Sequence, residues 1–424
     1  MLRPARLGIA VLITAVGCTS PPPAPREAAP ASERDALADA FAELVTTLQG
    51  VEADLRKSPS FGTEAEQVGG YRHLLRSFSK GMEAGILQDP DYPYFRILDF
   101  WLREGGDNPD QRYAFAPIRG GQAYRVWGEL GSAARVELQI YAGKPWAGTG
   151  RSAGYLAFED LTVAEDGSFE VIVSAEQIDG DWLHNPDDST TLFVRHVFDD
   201  WADAPTGGVH IDRIGLEGHR RPPESADELA QRIRAASEMF GTTARNWPAF
   251  VTKRYRDAGD ANTVAPPYDV YALGGAKGRW MSGGYFELPP GQALLLEIPP
   301  TRAHYQAVQL TDMWFASLEY GNQVSSLTAA QSLLSPDGNY YYVISAEDPG
   351  HANWLDTGAL QRGTFLLRWD GVQGELPPVQ FPSAERVDLS ELPERIPGFV
   401  AATEEEREQT RRNRRRHLQL RSHR

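Results

Sequence analysis

Apolar side chains recur at three- and four-residue steps through residues 34–57, at Leu37, Phe41, Leu44, Leu48, Val51 and Leu55. That spacing puts them on one stripe of an α-helix. A second stripe, Val68, Tyr71, Leu74, Leu75, Phe78 and Met82, predicts a helix near 64–87, which Gly85 and Pro90 bring to an end. The short apolar run Phe95–Leu102 reads as a third helix. From Arg112 to Ile214 the period changes to two. Ala123–Gly128, Val136–Tyr141, Phe169–Val173 and Thr191–Phe198 have strand character, and turn signals at Glu165–Gly167 and Asp179–Gly180 separate them. After Pro222 and Pro223, Ser225–Arg256 is helical again, with Leu229, Ile233, Met239 and Phe240 on one stripe. Strand patterning resumes from Tyr285 to Trp369, through Ala293–Ile298, Tyr305–Leu310, Tyr340–Ile344 and Thr364–Trp369. Short strands with no helix between them favour sandwiches or jelly rolls over a parallel sheet.

The strand-rich stretches repeat each other. Asp166–Glu176, Asp181–Leu183 and Thr191–Arg195 return as Asp337–Glu347, Asn353–Leu355 and Thr364–Arg368. The offset is 171 at the Asp-Gly pair, 172 at Trp-Leu and 173 at the arginine; upstream, Gly121–Ala123 and Gln139 match Gly291–Ala293 and Gln309 at 170. A helical array would repeat every ~20–50 residues, so this period predicts two copies of one β domain. The expected fold is mainly β with flanking helices: two tandem β-sandwich or jelly-roll-like domains related by internal duplication, plus a helical N-terminal segment. The expected division is a signal at 1–17, a tether at 18–33, a helical segment at 34–108, copy one at 109–220, a helical connector at 221–265, copy two at 266–372, and an extended segment with a basic helical tail at 373–424.

The first 18 residues carry Arg3 and Arg6, then the apolar run Leu7–Val16, then Ala15–Cys18. The run is too short to span a bilayer, so an export signal that is cleaved is expected. Cys18 is the single cysteine, which rules out an internal disulfide; its setting resembles the lipobox of bacterial lipoproteins and implies lipidation at Cys18. The Pro- and Ala-rich segment Thr19–Ser32 then reads as a tether. The formal net charge of −16 argues against nucleic-acid binding. The tail from Arg411 to Arg424, after Glu404–Glu408, reads as a solvated helix end with Glu–Arg support, and a role at an anionic membrane surface is the alternative.

In copy two, Tyr305–Tyr320, Asp337-Gly338, Asp348–Gly350, Asn353–Gly358 and Arg368-Trp369 form an ordered set. This set resembles the bacterial domain-of-unknown-function family 1214, whose members carry an Asn-Trp-Leu motif near the C-terminal end. Asp107–Asp110, Tyr113 and Arg195–Trp201 resemble the upstream part of such proteins. The resemblance spans roughly residues 90–370 and implies a β-sandwich with no assigned activity.

Residues present in both copies are expected to serve the fold. Asp166-Gly167 and Asp337-Gly338 suit hairpin turns, and Trp182 and Trp354 suit core anchors. Arg195 and Arg368 lie inside apolar strands, so each is expected to meet a carboxylate. Residues that differ between copies are the better site candidates. His304, Asp312, His351 and Asp356 are candidate catalytic groups, a His–Asp pair serving as general base, and with Asn353 they are expected to converge where loops gather at one end of the second sandwich. Trp314, Tyr320, Asn322, Asn353, Trp354, Thr357 and Arg368 are candidate ligand contacts. Trp280, Tyr285, Phe315 and Tyr340–Tyr342 add aromatic density suited to a sugar ring or sterol face. No Gly-x-Ser-x-Gly elbow, His-Glu-x-x-His helix, Walker loop or dinucleotide fingerprint occurs, so no cofactor is expected. No ligand spacing supports a metal site. The expectation is an envelope lipoprotein that binds, or modifies, a saccharide or lipid-like small molecule; a hydrolase or lyase, and a protein-binding scaffold, are the alternatives.

Overall fold

Among the described residues each copy contributes nine strands. In the first these are β1 (Arg96–Leu98), β2 (Gln111–Pro117), β3 (Tyr124–Glu129), β4 (Arg135–Ala142), β5 (Arg151–Leu156), β6 (Ser168–Ser174), β7 (Trp182–His184), β8 (Ser189–Val197) and β9 (Gly208–Arg213). In the second they are β10 (Tyr268–Asp269), β11 (Trp280–Glu287), β12 (Gln292–Ile298), β13 (Tyr305–Thr311), β14 (Ser326–Thr328), β15 (Tyr340–Ser345), β16 (Trp354–Asp356), β17 (Arg362–Asp370) and β18 (Ser383–Asp388). These come from a computed structural model that describes residues 31–422 apart from 99, 145, 146, 202–205 and 274. The expected signal, Cys18 and the tether up to residue 30 lie outside the described residues; residues 31–33 already belong to the first helix.

The first sandwich pairs a five-stranded sheet, β1-β2-β8-β4-β5, with a four-stranded sheet, β7-β6-β3-β9. Adding nine to every strand number reproduces the second, β10-β11-β17-β13-β14 against β16-β15-β12-β18. The match extends to pairing sense, since β6–β7 and β15–β16 are both parallel. It extends to turn chemistry as well. Asp166 and Asp337 each accept a hydrogen bond from the main chain two residues on, with Gly167 and Gly338 at φ of +85° and +88°. Glycine adopts that left-handed conformation without a Cβ penalty. Inward side chains of both sheets fill each core: Val126, Leu138, Val171 and Val194 in one, Leu296, Leu310, Ile344 and Phe365 in the other.

Two boundaries move. Phe95–Leu102 is not a helix: Arg96–Leu98 pairs antiparallel with β2 as an edge strand. The run is too short to hold a helix by itself, while the open edge of β2 offers main-chain partners. Copy two extends past residue 372 to β18, whose sequence, Ser-Ala-Glu-Arg-Val-Asp, has only two apolar positions to signal it. Trp182 and Trp354 are half-buried rather than core; their indole N–H groups donate to Ser174 Oγ at 3.0 Å and to Ser345 O at 3.2 Å, tying the parallel strands together.

Helices α1 (Ala31–Leu55), α2 (Glu64–Met82) and α3 (Ala226–Val251) form one layer. Capping boxes at Thr63/Glu66 and Ser225/Glu228 start the last two. A Cβ at Gly81 would stand 2.8 Å from Phe240 Cβ, so this glycine lets α2 and α3 close together. After the single turn α4 (Leu392–Arg395) comes α5 (Glu404–Ser422).

The five-stranded sheets turn their outer faces toward each other. Val197 packs on Tyr305 and Ala307, Tyr305 Oη donates to Asp110 Oδ2 at 2.6 Å, and Arg279 Nη2 lies 3.5 Å from Glu137 Oε2. Arg279 also pairs with Asp370 through two 2.6 Å hydrogen bonds. The layer between the sandwiches therefore joins a small apolar contact to an ionic network. Helix α5 lies along its seam with Arg407, Arg414, His417, Leu418 and Arg421 buried, which corrects the reading of this tail as solvated. Only its outer side is solvated, where Glu408 and Arg412 pair at 3.0 Å. Arg195 and Arg368 also depart from expectation. Both are buried in this layer, and neither has a carboxylate within 4.0 Å among the described residues, because aromatic rings and neutral acceptors surround them.

Candidate functional site

A cleft of about 110 Å³ opens at one end of the seam. The loop after β12 brings Pro300, Thr301 and His304, β13 starts with Tyr305 and Gln306, β15 starts with Tyr340, and copy one sends Asp199 from the end of β8. Two anchors hold the opposing sides. Thr328 Oγ1 donates to Asp199 O at 2.6 Å, and the His304 main-chain N–H donates to Asp370 O at 2.8 Å. Gly371, at φ +77°, lies under the His304 ring, where any Cβ would collide with the imidazole.

Burial pushes the Asp199 carboxyl up to about 6, and the nearby charge of Asp110 adds to the shift while Arg135 and His304 oppose it. Its Oδ1 is buried without a protein partner. Across the cleft, Arg135 Nη1 lies 2.9 Å from His304 Nδ1 and pairs with Glu159. The same Nδ1 lies 3.3 Å from Glu159 Oε1, so this nitrogen faces both a guanidinium donor and a carboxylate acceptor. Hydrogen bonding from Arg135 holds Glu159 down to about 2. Tyr305 lines the cleft and is buried, and its hydroxyl donates to Asp110, so burial and that carboxylate push its pKa well up and it stays protonated. Tyr340 stacks on Tyr342 at 6.2 Å. The cleft thus combines tyrosines, a carboxyl with a raised pKa of about 6 and an imidazole held by Arg135 and Glu159.

The remaining candidates do not gather here. Asp312 lies at the far end of the seven-residue β13, roughly 20 Å from His304 by strand rise. There its carboxylate accepts from the Trp314 and Ala316 main chain at 2.9 and 3.0 Å, and burial raises its pKa. Trp314 packs into the helical layer, with its indole N–H on Glu66 O at 2.9 Å. His351 is buried against Phe399, 5.0 Å between rings, and burial lowers its pKa. Asn353 binds main chain on Leu333 and Tyr341, and Arg407 stands over Trp354 at 4.9 Å. Asp356 accepts from the Gly358 main chain at 2.8 Å and Thr357 is buried beside it. Tyr320 is buried in the seam with Trp201, while Asn322 accepts from Arg415 on the surface. Arg368 lies in the inter-sandwich layer, bonded to Gln309 and Gly106. His304 alone of the four candidate catalytic residues lines the cleft.

Asp199 was missed, and a signal for it existed. At the offset of 173 it falls opposite Val372, so it too differs between copies, but in copy one. Among the described residues no group of three or more His, Cys, Asp or Glu is placed to hold a metal ion, and no helix is long and apolar enough to cross a membrane.

No family model matches the chain, and no curated protein matches it in sequence. Solved structures do. The chain is similar to an uncharacterized protein from Burkholderia cenocepacia, 24% identical, with 84% of this chain and 99% of that one covered at a TM-score of 0.78. That likeness shows the fold. Weaker matches are to the VPA0106 protein of Vibrio parahaemolyticus (9% identity, 76% and 98% covered, TM-score 0.42) and to vicilin from tomato (12% identity, 76% and 98% covered, TM-score 0.22).

Proposed function

We propose that the cleft binds a small polyhydroxylated molecule of saccharide type between the two sandwiches. The observation that carries this reading is Asp199, which lines the cleft beside His304, Tyr305 and Tyr340 and whose Oδ1 is buried without a protein partner. An ionised carboxylate accepts from sugar hydroxyls, the His304 imidazole pairs with a hydroxyl in either tautomer, and tyrosine faces cover C–H surface. Drug-sized sites run to ~300–1,000 Å³, so a cleft of about 110 Å³ takes one ring or the end of a longer chain, not a sterol or acyl tail.

Titration calorimetry of the chain against monosaccharides and short oligosaccharides tests the reading. Affinity is expected to rise with pH through about 6, as Asp199 ionises. Asp199→Asn is expected to weaken binding roughly tenfold, in line with losing a hydrogen bond to a charged group, and to flatten the pH dependence. Absence of binding by every sugar, or an unchanged affinity in Asp199→Asn, would sink it.

Asp199 also leaves a stability signature. Its folded pKa is raised, so the folded state holds the proton longer than the unfolded one and stability falls as pH rises toward and through about 6. Asp199→Asn is therefore expected to be more stable than wild type at pH 8, on the order of 1 kcal/mol after screening at the cleft mouth, and to lose that gain near pH 4.

A second reading has one observation in its favour. A carboxyl near 6 and an imidazole in one cleft can act as acid and base, which suits a hydrolase or lyase with His304 and Asp199 in those roles. Turnover of a bound sugar that survives in both His304→Ala and Asp199→Asn would exclude it. For location, Arg3, Arg6, Leu7–Val16 and Cys18 support an exported, lipid-anchored protein. The Asn353–Leu355 motif supports kinship with family 1214. Continued membrane retention of Cys18→Ser would count against the anchor.

A further inference from the structure

Arg195 stands at the centre of the layer between the sandwiches, 5% exposed, on the face of β8 that looks toward copy two. Its cross-strand neighbours are Tyr113 on β2 and Glu137 on β4. The carboxylate of Glu137 is engaged elsewhere, 3.7 Å from Arg135 Nε and 3.5 Å from Arg279 Nη2. The Arg195 guanidinium instead runs along the sheet between Phe193 and Tyr113, 5.4 and 5.8 Å from their ring centres. Nη2 donates to Tyr141 Oη at 3.1 Å. Nε and Nη1 are buried and meet no acceptor of the protein.

The duplication supplies an internal comparison. Arg368, the equivalent residue, gives its N–H groups to Gln309 Oε1 and to the main-chain oxygen of Gly106, which the segment before β2 carries into the layer. In copy one the equivalent glutamine, Gln139, is turned to other partners. It accepts from Tyr141 Oη at 3.0 Å and donates to Ser152 Oγ at 2.9 Å and Gly275 O at 3.3 Å. The same arginine–glutamine pair is thus closed in one copy and left open in the other. The nearest carboxylates of the layer are committed elsewhere: Glu137 faces Arg135 and Arg279, and Asp370 is paired with Arg279.

We propose that Arg195 is the cationic base of a binding site for a small monovalent anion, a halide or the carboxylate of a short acid, buried between the two sandwiches. One negative charge with several lone pairs answers Nε and Nη1, and the Tyr113 hydroxyl, which accepts from the Asn108 N–H, keeps its own proton as a further donor. The site is separate from the saccharide cleft and does not depend on it.

Equilibrium unfolding of the full chain in sodium chloride, sodium formate and sodium methanesulfonate at one ionic strength is the test. A ligand that binds only the folded state raises the midpoint whatever its path into the interior. Chloride or formate is expected to raise the wild-type midpoint by several degrees over the bulkier methanesulfonate, with saturation, and Arg195→Gln is expected to show no difference among the three salts. A response to chloride alone assigns a halide, and one to formate alone assigns a carboxylate. Equal midpoints in wild type, or an equal response in Arg195→Gln, overturns the proposal. Should Arg195→Gln not fold, wild-type crystals soaked in bromide decide it: an anomalous peak on Arg195 Nε or Nη1 supports the site, and none there overturns it.

Discussion

Arg414→Ala is expected to cost about 3–5 kcal/mol of stability, because it strips three main-chain and hydroxyl acceptors of a buried, charged donor at once. Arg414 is 2% exposed, midway along α5. Nε donates to Tyr320 O at 2.8 Å, Nη1 to Ser326 O at 3.1 Å and Nη2 to Ser326 Oγ at 2.8 Å. The guanidinium also lies 4.0 Å from the centre of the Trp201 ring, so one side chain joins α5, the loop before β14 and the segment after β8. Guanidinium unfolding followed by tryptophan fluorescence reads the change. Arg412→Ala, on the solvated side of the same helix, is the control and should stay within about 0.5 kcal/mol of wild type. Similar values for the two variants would show that α5 does not hold the seam.

Trp314→Ala is expected to cost a comparable ~3–5 kcal/mol, here through a cavity. Trp314 is 1% exposed and is the side chain by which the second sandwich enters the helical layer. Its indole stacks on His73 at 5.8 Å and meets Phe61 edge-on at 6.2 Å. The consecutive Gly69 and Gly70 in α2 make room for it, since a Cβ at either would fall 3.0 or 2.8 Å from the ring. Glycine inside a helix costs roughly 0.5–1 kcal/mol, so the close approach of Trp314 must recover that cost. Saccharide affinity, by contrast, should be unchanged, because Trp314 follows the end of β13 remote from the cleft. Loss of binding with intact stability would return Trp314 to the ligand contacts where the sequence pattern placed it.

The fold was legible because its signals are local. Period-two runs, Asp-Gly turns and the offset near 170 each need only a short window, and together they imply two copies of one sandwich. Strands with little apolar content escaped: β18 offers Ala384 and Val387 alone, and β1 is three residues long. The seam helix escaped for a different reason. Arg407, Arg414, His417, Leu418 and Arg421 do recur at helical steps on one face, yet the stripe is written mostly in arginine, which ordinarily marks the solvated side. The site was the least legible part. Arg135 and His304 are 169 residues apart, and Asp199 reaches the cleft only because the two large sheets face one another. Both His304 and Asp199 lack a counterpart in the other copy and both line the cleft, but only the differences in copy two pointed to a candidate.

The place of α5 in the chain has a consequence for biosynthesis. Domains fold as units as they leave the ribosome, N-terminal first, so both sandwiches are complete before Glu404 emerges. For that interval each presents its partner-facing sheet to water. Those faces carry Arg135, Glu137, Gln139 and Arg195 on one side and Gln309, Arg368 and Asp370 on the other, so the nascent chain waits with charges interrupting the apolar patch of Val197, Tyr305 and Ala307. An ionic joint of this kind costs stability in the finished molecule and protects the unfinished one from aggregation.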